Sequence, residues 1–229
     1  MFKINPLETI LWTFRRNEND VVNLYNTLSP VMQLATGDSM LNFGYWCSDD
    51  TSPIVAQNRL CDMVGKLAVL DSANSLLDIG SGLSSPAIMW ARLYPDICIS
   101  CVNINYNQLQ LAQKIVDGKT SSQRIHEINS TSTMLPFSSN SIERIIALES
   151  AQHFKPFDNF ISESYRVLKK NGIFAFAIPV VKKKSSIKNL GILAVTWSSE
   201  HYNQDFIISK TSKKFKIIEK IEIGSNVFE

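Results

Sequence analysis

From residue 75 onward, short apolar runs alternate with longer stretches of helical period, and no other feature restricts the fold as much. Consecutive parallel strands need a crossover of a dozen or more residues, so this alternation predicts parallel βαβ units. The runs are 75–79, 97–104, 124–129, 143–149 and 173–181, and between them lie 86–93, 108–116 and 157–168. In the last of these Phe157, Phe160, Ile161, Ser164, Tyr165 and Leu168 recur at i, i+3, i+4 spacing, the stripe of a helix packed on a sheet. Gly172 is placed to end it with a left-handed cap. Upstream, Asp20 is a candidate N-cap for a helix over 21–27, and Ser52 followed by Pro53 is a cap with proline at the first helical position. The expectation is an α/β fold: a Rossmann-like, doubly wound, mostly parallel sheet with an N-terminal helical cap. Residues 1–229 form a single domain in this reading, with 1–70 the cap, 71–181 the core, and 182–229 a lid and C-terminal strand.

The chain has 229 residues, 45% of them hydrophobic, enough to bury a core. Its net charge of +2 leaves no electrostatic footprint for a polyanion, so no nucleic-acid partner is expected. The longest apolar run, 173–181, is interrupted by Pro179 and falls short of the roughly 20 residues of a membrane span. Charges are too closely spaced in the first 20 residues for a secretory signal, which points to a cytoplasmic protein without stable membrane insertion. Cys98 and Cys101 form a C-x-x-C inside an apolar strand, where residues three apart face opposite ways. They are read as structural thiols, and no metal site is expected.

The densest chemical signal is Leu76-Leu77-Asp78-Ile79-Gly80-Ser81-Gly82-Leu83-Ser84-Ser85-Pro86. An apolar strand ends in an acid, two glycines allow a tight turn and close backbone approach by a ligand, and a proline opens a helix. A nucleotide-like cofactor site is implied. The third glycine of a dinucleotide fingerprint is Ser85 here, and the second strand ends in Asn103 where that fingerprint has an acid. No lysine follows as in a phosphate loop.

With these residues in view, the chain resembles the class I S-adenosylmethionine-dependent methyltransferases, and in particular their small-molecule branch. Besides LLDIGSG, the resemblance rests on Asn42-Phe43-Gly44-Tyr45-Trp46, NINYNQLQLAQK after the second strand, LPFSSNSIERIIALES with Leu135-Pro136-Phe137 before the fourth, and LKKNGIFAF into the fifth. It covers roughly residues 25–181. It implies methyl transfer to an oxygen, nitrogen or carbon of a small-molecule acceptor, with S-adenosylmethionine as cofactor; a homodimer is compatible with it. The alternative is a methyltransferase-like binding or scaffold protein that has lost turnover.

By resemblance, Asp78, Gly80 and Gly82 hold the methionine end of the cofactor, and Asn103 occupies the place of a ribose-binding acid, with Ile104 and Gln108 beyond it. An amide there costs on the order of 1–2 kcal/mol relative to a carboxylate. The adenine end falls in Asn129-Ser130-Thr131-Ser132, where either Asn129 or Thr131 is placed to accept from the exocyclic amine. Glu149 ends the fourth strand. His153 follows it as candidate general base, an imidazole of ordinary pKa near about 6.5 being suited to take a hydroxyl proton. Tyr25, Tyr45 and Trp46 are expected in the cap over the site, where aromatic rings exclude water and attract a sulfonium. His126 and His201 have no motif context, and Lys182, Lys183, Lys184, Lys188, Lys210, Lys213, Lys214 and Lys216 read as solvated loop.

The resemblance also implies a sixth and a seventh strand. Residues 215–223 read as the sixth, and the segment 190–197 is a candidate replacement strand. Without a seventh strand the sheet edge must be covered by a partner or by the chain's own loops.

Overall fold

A computed structural model describes residues 17–47, 52–181 and 202–227. Its centre is a five-stranded parallel sheet in the order β3-β2-β1-β4-β5. The strands are β1 (Ser75–Ile79), β2 (Cys98–Asn103), β3 (Ile125–Asn129), β4 (Ile142–Leu148) and β5 (Leu168–Ala177). Helices α3 (Ser85–Leu93), α4 (Tyr106–Asp117) and α5 (Phe157–Val167) are the crossovers, and α1 (Glu18–Thr36) and α2 (Pro53–Leu67) precede the sheet. The strands carry apolar residues on both faces, as a doubly covered parallel sheet requires. One face packs Leu76, Ile99, Cys101 and Ile146 under α2 and α3, where Trp90 is fully buried and donates its indole N–H to Cys61 O at 3.0 Å. The other packs Leu77, Ile79, Val102 and Ile145 with Phe157 and Phe160 of α5.

Local details differ from the expectations in four places. The first helix is capped by Asn17, whose side chain bonds the N–H groups of the first turn, while Asp20 at N3 accepts the N–H of Asn17 at 3.0 Å. Asp20 is thus the second half of a capping box and not the cap itself. The helix runs on to Thr36 through Pro30. Helix α5 ends without a left-handed cap, its C-cap Leu168 being extended at φ −71° and ψ 133°, and both Asn171, at φ 64°, and Gly172 lie within β5. A Cβ on Gly172 would stand 2.9 Å from Glu143 O and 2.7 Å from Leu168 Cγ, so the glycine is required by crowding against β4.

The fourth difference is the sixth strand: residues 216–223 form no ladder. After α6 (Gln204–Thr211), Phe215 packs with the α5 face of the sheet and Ile223 with the α2 face, so the intervening chain passes from one face to the other. Ile218 in that passage is 81% exposed, which leaves its alternating pattern with no second strand to satisfy it. Among the described residues β5 is therefore an edge strand. The candidate replacement strand 190–197, His201 and Lys182–Lys188 lie outside the described residues. Cys98 is exposed and Cys101 buried, as expected of residues three apart on a strand, and His126 is exposed on β3.

Candidate active site

The strand order reverses between β1 and β4, and a cleft opens there at the carboxyl ends of the strands, the position at which open α/β sheets take ligands. It holds about 990 Å³ of empty space, part of it open to solvent. Asp78, Gly80, Gly82, Asn103, Ile104, Gln108, Ser130, Thr131, Ser132, Glu149, His153 and Tyr25 all line it.

The glycine turn is built by its own backbone. Gly80 N and Ser81 N donate to Val102 O at 2.7 and 3.2 Å, turning the chain toward β2. Gly80 has φ 78°, and a Cβ there would lie 2.5 Å from Ser150 Cβ, so only glycine lets the turn close against the end of β4. Asp78, just before the turn, is 2% exposed, and its Oδ2 has no hydrogen-bond partner. Burial, and then the neighbouring Glu127, push its carboxyl up to about 8.

Asn103 is committed to the protein. Its amide donates to Gly82 O at 3.1 Å and to Gln108 Oε1 at 2.9 Å, and its Oδ1 accepts from Asn105 N at 3.0 Å. Gln108 in turn donates to Ser29 Oγ of α1 at 2.8 Å, and Asn105 donates to Asn26 Oδ1 of α1 at 3.0 Å. A row of amides therefore ties α1 to the β2–α4 corner. Thr131 donates to Glu18 Oε1 at 2.6 Å, which brings a carboxylate from α1 to the end of the cleft where residues 129–132 carry none.

On the β4 side the backbone is strained: Glu149 has φ 49°, unusual for a residue with a side chain. Its Oε2 accepts Phe43 N at 2.6 Å, and burial, opposed by that bond, raises it to about 7. His153, in the short turn Ala151–His153, is 6% exposed. Its Nε2 lies 2.9 Å from Tyr25 Oη of α1, with the rings edge-on at 5.3 Å. Burial, and next the Glu149 charge, drive the Tyr25 phenol well above its ordinary value, so it stays protonated.

Three expected residues fall elsewhere. Tyr45 accepts nothing from the cleft; it packs on the α2 face and lines a shallow surface hollow with Arg59, Met63 and Lys66. Gly44 explains the turn: with φ 95° and a Cβ position 2.8 Å from the Ala56 backbone, it lets Tyr45 N donate to Ala56 O at 2.8 Å, which sends the ring to the far side of α2. Trp46 is tied to the C-terminal segment, donating its N–H to Asn226 O at 2.7 Å and its indole N–H to Phe43 O at 3.2 Å. Asn129 donates its amide to Asn103 O and Ile104 O at 2.9 and 3.0 Å, which fixes the β2–β3 corner from outside the cleft.

Sequence reasoning missed Glu18, Asn26, Ser29, Asn105 and Ser150. Only Asn105 carried a local signal, as the N-cap of α4 whose side chain accepts from Gln108 N. Among the described residues no cluster of three or more His, Cys, Asp or Glu is arranged to hold a metal ion, and no helix is long and apolar enough to cross a membrane.

Residues 77–176 match the family described as a methyltransferase domain. Over this segment the chain is similar to that methyltransferase family. Over 165 residues, 72% of this chain and 54% of the relative, the protein is 24% identical to an erythromycin 3''-O-methyltransferase of Saccharopolyspora erythraea. The (4+2)-cyclase SpnF has the same fold at a TM-score of 0.82 and 23% identity, covering 92% of this chain and 77% of that one. A geranyl diphosphate C-methyltransferase of Streptomyces coelicolor, solved with S-adenosyl-L-homocysteine, superposes at 0.76 with 9% identity over 94% and 85% of the two chains. The chain spans between 54% and 59% of the length of the first curated relatives it matches. The matched segment runs from within β1 to within β5 and so touches all five strands, while α1, which closes the cleft, lies outside it.

Proposed function

We propose that the protein transfers a methyl group from S-adenosylmethionine to a hydroxyl of a small organic molecule. The observation that carries this reading is the pairing, in one cleft, of a buried carboxylate oxygen without a partner, Asp78 Oδ2, with a buried imidazole, His153. Asp78 Oδ2 suits the ammonium of the cofactor, a charge-assisted acceptor in a site of low dielectric. The closed Gly80–Gly82 turn leaves the cleft floor free of side chains, and Ile104 offers an apolar wall for a flat ring. Glu18, fixed by Thr131, is the acceptor for an exocyclic amine that residues 129–132 lack in charged form. When bound, S-adenosylmethionine supplies an electrophilic methyl on a sulfonium.

His153 then takes the proton of the attacking hydroxyl at Nε2 once that hydroxyl has replaced Tyr25 Oη as the nitrogen's partner; until then the Tyr25 hydrogen bond holds the ring in place. Helix α1, stitched down by Asn26 and Ser29, excludes water from the reacting atoms. Positioning supplies most of the rate in this scheme. Relatives named as an erythromycin 3''-O-methyltransferase and a 27-O-demethylrifamycin SV methyltransferase support a small organic acceptor.

Isothermal titration with S-adenosylmethionine, followed by assay of S-adenosylhomocysteine release with hydroxylated acceptors, tests this. Micromolar binding with acceptor-dependent release is expected. Binding without release from any acceptor would favour a domain that has lost turnover, and no binding at millimolar cofactor would overturn the reading. The fold alone does not choose among these outcomes, since a cyclase shares it.

A further inference from the structure

Beneath the glycine turn, Asp78 stands at the head of a row of side chains whose other members methyl transfer to a hydroxyl leaves unused. Pairing sets Asp78 of β1 beside Cys101 of β2, and Cys101 beside Glu127 of β3. Residues paired across parallel neighbours project from the same face, here the α2–α3 side on which Leu76, Ile99 and Ile125 pack. Ser84, fully buried at the entrance to α3, closes the row. Asp78 Oδ2 is buried without a hydrogen-bond partner, and the buried carboxyl oxygens of Glu127 have only the Ser84 hydroxyl beside them.

Two buried carboxyls need a counter-charge or protons. The titratable groups that face them are Cys61 from α2, which has Glu149 on its other side, and Cys101 from β2, neither of them cationic. Arg124, just before β3, donates instead to the carbonyls of Ala91, Tyr94 and Ile97. The start of α3 adds only the partial charge of its free N–H groups. Burial, opposed by the Ser84 hydroxyl, raises Glu127 to about 7, and burial together with Glu127 raises Asp78 to about 8. The pair therefore carries on the order of one proton at neutral pH.

We infer that Asp78 and Glu127 act together as a proton-releasing counter-charge for a cationic ligand of the cleft, with Asp78 in contact and Glu127 a positioning residue behind it. This rests on the cofactor reading above and adds Glu127, which no motif marks. When the ligand's ammonium arrives, the O–H bond of the neutral carboxyl breaks, the proton passes to solvent, and the carboxylate pairs with the cation. No electrons move. Ligand affinity must then rise with pH, by up to about tenfold per pH unit for each proton released.

The test is calorimetric titration of the full chain with S-adenosylhomocysteine, which keeps the ammonium, at pH 6, 7 and 8 in two buffers of different ionisation enthalpy. Affinity is expected to rise about tenfold or more from pH 6 to pH 8, with about one proton released per ligand at pH 7. E127Q should still bind, but release fewer protons, with its affinity profile displaced to lower pH. A residue with a merely structural role would change stability and leave the proton count alone. A flat affinity profile with no proton release, or an E127Q count equal to the wild-type one, overturns the inference. If E127Q does not fold, a wild-type release below about half a proton at pH 7 overturns it just as well. Absence of binding at every pH defeats the cofactor reading itself, a distinguishable result.

Discussion

Along the β1–β2 wall of the cleft, the glycine turn and Asn103 are held by neighbours within the first two crossovers, and α1 reaches them only through Asn105 and Gln108. Gly80 and Ser81 donate to Val102 O, and Asn103 bonds Gly82, Asn105 and Gln108. Along the β4 wall each group is held from far away in the chain: Glu149 by Phe43 N, 106 residues off, and His153 by Tyr25, 128 residues off. The first wall is a βα turn that any chain with these glycines will make. The second exists only once α1 and the segment after it have docked. A cofactor's constant part belongs with the first kind of wall, and a variable acceptor with the second, because long-range contacts can change without disturbing the turn.

The largest effect that would break this contrast is at Gly80. Gly80→Ala places a Cβ against Ser150 at a positive φ, and should cost about 2–4 kcal/mol of stability together with ligand binding, read by thermal denaturation and calorimetry. An unchanged melting temperature would mean the turn is not closed as described. Next comes His153→Ala, expected to lower kcat about a hundredfold with ligand affinity nearly intact, whereas Tyr25→Phe should lose less and shift the pH profile of kcat. Equal losses in kcat and in cofactor binding would erase the division between the walls.

The third prediction concerns pH. Asp78 at about 8, and Glu127 and Glu149 at about 7, are raised by burial above their unfolded values, so their stabilising contribution is full below about pH 4 and is lost as pH rises through 7 and 8. The ligand-free protein should therefore melt at a lower temperature at pH 8.5 than at pH 6, and Glu149→Gln should lessen that difference. Glu18→Gln should weaken cofactor binding by about threefold to tenfold without affecting the melting temperature by more than a few degrees. The smallest effect is at Tyr45: Tyr45→Phe should leave cofactor affinity within about twofold, since the ring faces the surface hollow beyond α2. A larger loss would return Tyr45 to the cleft.

The pattern of apolar runs was enough to read the parallel sheet, and the Asp78–Pro86 segment enough to locate the cleft, because both depend on residues adjacent in sequence. The run of glycine, serine and proline fixes backbone geometry wherever it sits. Asn17 in place of Asp20 is a shift of three residues within one capping box, whereas the expected left-handed cap at Gly172 does not form, because the chain passes straight from α5 into β5. The larger departures have a different cause. Residues 216–223 have the alternation of a strand, yet a strand forms only where a neighbour offers its backbone, and here the chain crosses the sheet from Phe215 to Ile223 without one.

What the amino-acid order determined alone is the turn after Asp78 and the sheet that carries it, since short-range sterics and hydrophobic period dictate both. Only the tertiary structure decided that Tyr45 and Trp46 leave the cleft while Tyr25, Glu18 and the amides of α1 enter it. It also decided that Asp78 and Glu127, 49 positions apart, share one buried face. The physical reason is that the hydrogen bonds and charges of this site join segments separated by the whole width of the fold, and their partners are chosen by packing, which no local window of residues contains.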